Sequence, residues 1–342
     1  MTDILSLRDL SCILGGRKVV DAVNLDVAAG EIVCLLGHSG CGKTTSLRLA
    51  GGLETPSEGE VLLDGVRVSS PDQVLPPEKR GIGFLFQDYA LFPHLTLAEN
   101  IKFGLRGMAH DSAKKRIGDM LDAVGLTGYE ARYPNMLSGG EQQRAALARA
   151  LAPNPRLVLM DEPFSNLDPQ LRDNMRDLTV HVLAENGAAA LIVTHDAADA
   201  LRMADRIAVQ RAGRIVQTDR PENIFNAPID VETAEIFGPV NVMAATQHNG
   251  GLSCALGDIA LPAPAPVCQI GFRPQDMQCG EQQEALVFSG KTIKCKAIAR
   301  QWLVHIELAG GHIVEGLVDG AEKPTEDKFS VPLRHIMLFS QS

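Results

Sequence analysis

The chain has 342 residues, of which 45% are hydrophobic and 22% are charged, a composition typical of a globular protein with roughly two or three domains. Its formal charge of −10 at pH 7 argues against a general nucleic-acid-binding protein, because such proteins usually carry a basic face. The seven cysteines include no C-x-x-C pair, the first residues MTDILSLRD lack the apolar stretch of a secretory signal, and no run approaches the ~18 apolar residues that span a bilayer. We therefore expect a cytosolic chain whose contact with a membrane, if it has one, is made through partners.

The N-terminal part of the chain predicts strands, a glycine-rich loop and a helix. Residues 4–36 carry strand and turn signals and end in the apolar run IVCLL, which is typical of a strand buried on both faces of a parallel sheet. Helical character follows from Lys43 to Gly51, and residues 57–68 predict a hairpin around Asp64-Gly65.

Helices and short strands then alternate, and this alternation predicts an α/β core. Helical periodicity covers 111–127, 141–152 and 170–185, and short apolar runs lie at 157–160 and 191–194. After about residue 239 the apolar runs become short and are broken by Gly, Pro and Asp, as in a small all-β domain.

The segment GHSGCGKTT at 37–45 predicts a phosphate-binding loop. It matches G-x-x-x-x-G-K-[ST] between a predicted strand and a predicted helix, which is the context that such a loop requires. Glycines let successive backbone N–H groups turn toward a phosphate, and the helix start adds the positive end of its dipole. Lys43 would neutralise phosphate charge and Thr44 would ligate Mg²⁺. The candidate nucleotide-binding residues here are Gly37, His38, Ser39, Gly40, Cys41, Gly42, Lys43, Thr44 and Thr45.

Two carboxylates follow the apolar run LVLM at 157–160. Asp161, at the end of the predicted strand, is suited to reach Mg²⁺. Glu162 points to the other side and is suited to polarise an attacking water as general base. Two solvated acids at a turn are the alternative, and the phosphate loop argues against it. Glu162 also favours hydrolysis over transfer to a second substrate, because a kinase must exclude water.

The segment LSGGE at 137–141 predicts a second anion cradle, formed by Ser138, Gly139 and Gly140 before a helix that begins near Glu141. A serine-capped helix start is the alternative interpretation. One chain does not need two cradles for one γ-phosphate. We therefore expect the second cradle to close over a nucleotide that another copy holds.

Together these segments resemble the ATP-binding-cassette (ABC) ATPases. GHSGCGKTT resembles the family's phosphate loop, LSGGEQQR its signature sequence and LVLMDEP its Walker B strand. Gln87 in FLFQDYALFPHLT matches the Q-loop, Asp168 in SNLD the D-loop, and His195 in IVTHD the switch histidine. The resemblance covers about residues 1–237 and implies a P-loop ATPase domain with a helical subdomain at about 88–155, followed by a β-rich domain resembling oligonucleotide/oligosaccharide-binding (OB) barrels at 238–342.

The resemblance also implies residue roles and partners. Two copies would form a head-to-tail dimer with ATP between the Lys43 loop of one copy and the signature sequence of the other. The further residues expected to bind the nucleotide are Leu14, Gln87, Glu141, Asp161 and Asp168. Glu162, His195, Lys43 and Gln87 would be the catalytic groups, and Mg²⁺ would be ligated by Thr44, Gln87 and Asp161. The implied partners are two integral-membrane permease subunits and, through them, a periplasmic solute-binding protein, with no nucleic acid. The implied location is peripheral, at the cytoplasmic face of a bacterial inner membrane.

Leu14 departs from the family pattern. Relatives usually place an aromatic residue upstream of the phosphate loop to stack on adenine, and counting back from Asn24-Leu25 puts Leu14 at that position. No Phe, Tyr or Trp precedes Phe84 in the chain. Base stacking contributes about 1–3 kcal/mol per base, so we expect weaker or less base-selective nucleotide binding. His38 also stands where relatives more often carry a small residue or proline.

The C-terminal part and the segment GFRPQD at 271–276 resemble importer ATPases of the maltose, sulfate, polyamine and ferric-iron groups. LPPEKRGIGFLFQDYALFPHLT and MDEPFSNLD are most similar to the ferric-iron group. Import of polyamine, sulfate or sugar stays open as an alternative, because an ATPase subunit does not touch the cargo. A soluble, non-transport ABC ATPase is a more distant alternative. A DNA-repair member would carry a coiled-coil insertion and a translation-associated member a second cassette, and this sequence has neither.

Overall fold

The computed structural model describes residues 3–105, 107–248, 251–261, 267–320, 323–324 and 327–340. By its internal contacts the chain divides into two compact units, Met1–Pro221 and Glu222–Ser342. The sequence analysis predicted that the ATPase domain ends at residue 237, and that boundary stays a prediction.

The strands of the first unit form an antiparallel sheet and a largely parallel one. They are β1 Asp3–Leu14, β2 Arg17–Ala28, β3 Ile32–Leu36, β4 Glu58–Leu63, β5 Val66–Ser70, β6 Gln73–Val74, β7 Gly83–Leu85, β8 Leu157–Asp161, β9 Ala189–Thr194, β10 Arg206–Arg211 and β11 Arg214–Asp219. The antiparallel sheet has the strand order β2-β1-β4-β5-β6. The other sheet has the order β11-β10-β3-β9-β8-β7, and its strands from β10 to β7 run parallel.

Along the chain, the helices of this unit lie between its strands. They are α1 Lys43–Gly51, α2 Leu97–Lys102, α3 His110–Ala123, α4 Gly139–Leu151, α5 Pro169–Glu185 and α6 Ala197–Met203. Thr96, Ser138 and Asp168 cap the N-termini of α2, α4 and α5 with side-chain oxygens.

Every residue of β3, β8 and β9 is buried, as the continuous apolar runs predict for strands covered on both faces. Leu47 of α1 lies in the same hydrophobic cluster as Leu35 and Leu191, so this contact fixes α1 against the sheet. The phosphate loop is therefore held between a buried strand and a packed helix.

The second unit is antiparallel in all the strand pairs that the described residues form. Two short helices, α7 Pro221–Asn226 and α8 Val231–Ile236, precede its strands. The strands are β12 Asn241–His248, β13 Gly251–Cys254, β14 Gly257–Ile259, β15 Val267–Phe272, β16 Gln278–Cys279, β17 Ala285–Ile298, β18 Gln301–Leu308, β19 Ile313–Asp319, β20 Lys328–Pro332 and β21 Met337–Ser340. Their sheets have the orders β14-β13-β12-β15-β21 and β16-β20-β17-β18-β19. The predicted fold class, an α/β domain followed by a small all-β domain, is confirmed.

Arg273, in the GFRPQD segment of this unit, is a buried arginine with several contacts. Arg273 is 2% exposed, and its guanidinium carbon lies 4.1 Å from the ring centroid of Phe225. It donates hydrogen bonds to the carbonyls of Ala234 (3.2 Å) and Phe225 (3.4 Å), near the ends of α8 and α7. Arg273 therefore ties both short helices to the strand that precedes it. Among the described residues, none of the helices has both the length and the apolar content that crossing a membrane requires.

Candidate functional site

Four predicted segments follow the carboxyl ends of four adjacent parallel strands. The glycine loop follows β3, His195 follows β9, Asp161 ends β8, and Gln87 comes two residues after β7. The strands lie side by side in the order β3-β9-β8-β7. Ligands of open α/β sheets bind at this edge, so the sheet brings residues that are far apart in sequence to one site.

The phosphate loop has a backbone that only glycine accepts at Gly42. Gly40 and Gly42 have φ values of +81° and +104°, in the left-handed region. A Cβ at Gly42 would lie 2.2 Å from the carbonyl oxygen of Val19 and 3.0 Å from the side-chain nitrogen of Gln210. The loop is thus pressed between β2 and β10, and its tightness follows from packing as well as from turn geometry.

Lys43 lies inside this loop and is 4% exposed. Its Nζ donates to the backbone carbonyls of Gly37 (2.8 Å) and His38 (2.9 Å). The side chains of the loop's outer residues, His38 and Ser39, are exposed. The loop therefore holds a buried ammonium group beneath a solvent-facing rim.

Thr44 and Asp161 are in direct contact, as expected for two groups that share one ligand. The Oγ1 of Thr44 donates to Oδ1 of Asp161 over 2.9 Å. Asp161 is 7% exposed, and burial raises its pKa, with Glu162 adding to the rise and the Thr44 hydrogen bond opposing it. A hydroxyl and a carboxylate side by side form the kind of oxygen donor set that Mg²⁺ prefers.

Glu162 and His195, the predicted base and switch histidine, also meet. Nδ1 of His195 lies 3.1 Å from Oε2 of Glu162, and the two side chains are 49% and 18% exposed. Glu162 has a left-handed backbone with φ of +43°, and its N–H donates to the carbonyl of Val193 over 2.9 Å. This strained turn lets Asp161 and Glu162, although adjacent in sequence, serve different contacts.

Gln87 and Asp168 each make a hydrogen bond within this chain, and their predicted contacts to nucleotide and metal stay predictions. The Gln87 side chain is exposed, and its carbonyl accepts a 3.4 Å hydrogen bond from Nδ2 of Asn166. The Asp168 carboxylate caps α5 by accepting from the N–H of Leu171 at 3.0 Å. Asp168 therefore has a structural role within one chain.

The signature segment is a capped helix start in this chain. Oε2 of Glu141 accepts from the N–H and from the hydroxyl of Ser138, both at 2.8 Å, and Oγ of Ser138 accepts from the N–H of Glu141 at 3.4 Å. These bonds form a capping box and lower the pKa of Glu141. The alternative interpretation, a serine cap, is thus confirmed as local structure, and it leaves a second use of the segment open.

The two glycines of this segment differ in their surroundings. A Cβ at Gly140 would lie 2.5 Å from Cδ2 of Leu171, so the Leu171 side chain would have to shift to admit it. A Cβ at Gly139 would meet no heavy atom within 4 Å among the described residues. Packing within the chain therefore limits the space beside Gly140, and no described neighbour limits the space beside Gly139.

Leu14 lies at the tip of the hairpin between β1 and β2, where it pairs with Arg17 across the two-residue turn Gly15-Gly16. Both turn glycines have positive φ, 56° and 78°, as in a type I′ hairpin. Leu14 is 41% exposed. An apolar side chain of the β1–β2 hairpin therefore faces solvent.

Sequence reasoning missed Gln210, which is 0% exposed in β10 behind the phosphate loop. Its side-chain nitrogen donates to Oγ of Ser46 in α1 over 3.2 Å. A glutamine inside the apolar run RIAVQ was the available signal, since a buried amide needs a partner.

Comparison with known proteins agrees with this geometry. A family model described as ABC transporter matches residues 20–165. The chain is 45% identical over 311 residues to the Fe(3+) ions import ATP-binding protein FbpC 1 of Rhodococcus jostii, covering 90% of this chain and 88% of that protein. It is 36% identical to the spermidine/putrescine import ATP-binding protein PotA of Nitrosospira multiformis, covering 97% of each. Among solved structures, the dimeric ATP-binding cassette MJ0796 in a post-hydrolysis state bound to ADP and Pi aligns with a TM-score of 0.56 at 33% identity, over 64% of this chain and 98% of that one.

Proposed function

Because this chain belongs to the ABC transporter family, we propose that it is the ATP-hydrolysing subunit of an importer whose cargo is ferric iron. The chain is an ATPase that powers transport. The observation that supports this most strongly is the convergence of Lys43, Thr44, Asp161, Glu162 and His195 at one edge of the parallel sheet. These are the groups that phosphate binding, metal ligation and water activation each require.

The residues divide into a binding set and a hydrolytic set. The glycine loop and Lys43 would hold the phosphates of ATP, with the Lys43 ammonium turning from the carbonyls of Gly37 and His38 to phosphate oxygens. Thr44 and Asp161, with Gln87, would hold Mg²⁺, which supplies charge neutralisation at the phosphates when it is bound. Glu162 would accept a proton from the attacking water. His195, whose Nδ1 lies 3.1 Å from Oε2 of Glu162, would orient that water and contact the γ-phosphate.

A second copy would complete the site. Gly139 is open on its outer side, and its substitution is not opposed by any described neighbour within 4 Å. A Cβ-free helix start with a serine hydroxyl suits close approach to a phosphate. Ser138, Gly139 and Gly140 of one copy would therefore cover the ATP held by Lys43 of the other, as in a head-to-tail dimer. The solved cassette that aligns with this chain is dimeric, which supports an assembly of two copies.

The proposed partners follow from the importer role. Two integral-membrane permease subunits would carry the cargo, and a periplasmic binding protein would deliver it to them. The chain would then act as a peripheral protein at the cytoplasmic face of an inner membrane. Gln87 and its loop, exposed at the edge of the ATPase unit, would contact the permease subunits.

Ferric iron is the preferred cargo because relatives named as Fe(3+) import proteins reach 45% identity over 90% of this chain. Polyamine is the second candidate, since PotA of Nitrosospira multiformis aligns over 97% of the chain at lower identity. Both assignments use the same ATP site and differ only in the partner that selects the cargo.

Uptake measurements separate these cargos. Cells whose gene for this chain is deleted are supplied with radiolabelled ferric iron, putrescine or sulfate. We expect loss of ferric iron uptake alone, restored by the wild-type gene and not by Glu162→Gln. Loss of putrescine or sulfate uptake with intact iron uptake would overturn the iron assignment. Full restoration by Glu162→Gln would overturn the ATPase role.

A further inference from the structure

Arg172, in the first turn of α5, connects the two segments that carry the hydrolytic residues. Its Nη1 donates to Oδ2 of Asp196 over 2.8 Å, and its Nη2 donates to the carbonyl of Leu167 over 3.1 Å. The side chains of Arg172 and Asp196 are 25% and 27% exposed, so the pair is partly shielded from water. The planar guanidinium suits such a bridge, because it presents several donors in one fixed geometry.

The Leu167 side of the bridge leads directly to Glu162. Ser165 Oγ donates to the carbonyl of Glu162 over 3.0 Å, and Leu167 N–H donates to the carbonyl of Phe164 over 3.3 Å. Leu167 itself is 6% exposed. The segment from 162 to 167 is thus a compact turn with the base at one end and the Arg172-bound carbonyl at the other.

The Asp196 side of the bridge leads directly to His195. Asp196 N–H donates to Oγ1 of Thr194 over 3.0 Å, and that hydroxyl donates to Oδ2 of Asp199 over 2.8 Å. Asp199 is 3% exposed and is paired with Arg176, which is also buried. The residues on both sides of His195 are therefore held by buried or half-buried polar contacts.

We infer that Arg172 is a positioning residue that keeps Glu162 and His195 at their working distance. The two hydrolytic side chains lie 3.1 Å apart, and Arg172 joins the segments that carry them, so the contacts form a closed ring. Charge-assisted hydrogen bonds are stronger and shorter than neutral ones, which makes the Asp196 arm the firmer one. This inference rests on the proposed function, since it assigns work to the same hydrolytic pair.

The ring does not include Lys43 or Thr44, the groups proposed to hold the phosphates and Mg²⁺. Lys43 and Thr44 belong to the loop and helix that follow β3, whereas Arg172 contacts the segments that follow β8 and β9. Loss of the bridge should therefore lower the rate of hydrolysis without weakening nucleotide binding. A displacement of about 1 Å in a reacting group can cost on the order of 100-fold in rate.

The test is steady-state ATP hydrolysis by the full chain carrying Arg172→Gln. We expect kcat to fall about 10- to 100-fold while the KM for ATP stays within about twofold of wild type. Arg172→Lys keeps the charge toward Asp196 and should recover part of kcat. Asp196 caps α6 by accepting from the N–H of Ala198 over 2.8 Å, and Asp196→Asn keeps an oxygen for that contact. This variant should resemble Arg172→Gln, and the double variant should be no slower than the slower single variant.

Arg202→Gln is the matched control, because Arg202 pairs with Asp177 and Asp173 at the surface, with 43% of its side chain exposed. It should keep wild-type kcat. The positioning role is overturned if Arg172→Gln keeps kcat within about twofold, or if kcat and 1/KM fall in equal proportion. Thermal unfolding shows whether each variant is folded. If Arg172→Gln does not fold, the kcat of Arg172→Lys is compared with that of the wild type instead. Glu162→Gln in the same assay tests the proposed function itself, so the two failures are distinguishable.

Discussion

Nδ1 of His195 and Oε2 of Glu162 lie 3.1 Å apart at the carboxyl ends of two adjacent parallel strands. The contact joins the two groups proposed to handle the attacking water, and it leaves half of the imidazole surface exposed toward solvent. A histidine so placed can orient a water against a carboxylate base without itself being buried. We therefore propose that the pair acts as a hydrolytic unit, separate from the Lys43 and Thr44 groups that would bind phosphate and metal.

Replacing His195 by alanine should impair hydrolysis more than binding. Positioned proton-transfer groups contribute about 100- to 10,000-fold in rate, so we expect kcat to fall by about 100-fold or more while ATP affinity stays within about twofold. Phosphate release and equilibrium nucleotide binding measure the two effects. His181→Ala is the matched control, because His181 is an exposed α5 residue paired with Glu185. A His195→Ala protein with wild-type kcat contradicts the assignment.

The signature glycines should respond differently to alanine. At Gly140 the added Cβ would overlap the Leu171 side chain, which must shift to make room, so Gly140→Ala should lower the free energy of unfolding relative to Gly139→Ala. At Gly139 the added Cβ meets open space, so Gly139→Ala should leave that free energy unchanged or raise it slightly. Urea unfolding of both variants measures these free energies. Equal destabilisation by the two substitutions would show that Gly139 is also packed within the chain.

Leu14→Tyr should strengthen nucleotide binding and improve base selectivity. A ring at this exposed hairpin position could stack on adenine, and stacking contributes about 1–3 kcal/mol, which corresponds to about 5- to 150-fold in affinity. The measurement is the Kd of ATP and of GTP for both proteins. Ile13→Tyr, on the neighbouring and also exposed residue, is the control for adding an aromatic ring nearby. The adenine-site hypothesis fails if Leu14→Tyr leaves ATP affinity unchanged.

Asp161→Asn should slow hydrolysis and raise stability, and the gain in stability should depend on pH. Burial raises the pKa of Asp161, so the folded state binds its proton more tightly than the unfolded state does. The charged form therefore lowers stability above the folded-state pKa, and this cost disappears below the unfolded-state value. We expect Asp161→Asn to raise Tm at neutral pH, with the difference from wild type shrinking as the pH falls through the range where Asp161 gains its proton.

The asparagine keeps an oxygen that can accept from Thr44, so the Thr44 contact is preserved. The rate of hydrolysis should nevertheless fall by about 100-fold or more, because an amide binds Mg²⁺ more weakly than a carboxylate does. Paired Tm and phosphate-release measurements across pH test this. A Tm difference between the two proteins that does not change with pH would contradict the role of the Asp161 charge.

Local signals were sufficient to predict much of the site. The glycine loop, Lys43 and Thr44 are contiguous in sequence, and their strand and helix follow from the apolar run before them and the helical pattern after them. The buried strands β8 and β9 were likewise visible as apolar runs. Roles for Gln87, Asp168 and His195 came from family resemblance, because a lone polar residue after a strand carries no chemical signature.

Long-range contacts could not be predicted in this way. Gln210 lies 164 residues from its partner Ser46, and no local pattern indicates that a β10 side chain supports the phosphate loop. Arg172 reads as an ordinary helix residue until the fold places Asp196 and Leu167 beside it. The two helices before β12 also escaped the sequence analysis, because they are short and their carbonyls are held by Arg273, which is distant in sequence.

The central claim is that the ATP site of one copy is completed by the signature segment of another. Its most direct test is the molecular mass in solution, measured by light scattering, of Glu162→Gln with and without Mg-ATP. We predict a monomer that becomes a dimer on ATP addition, because ATP binds but is not hydrolysed. Adding Gly139→Asp should abolish the dimer while leaving ATP binding by each copy intact, and adding Gly118→Asp, at another open glycine, should not. A Glu162→Gln protein that stays monomeric with bound ATP, or that dimerises equally well with Gly139→Asp, would contradict the shared site.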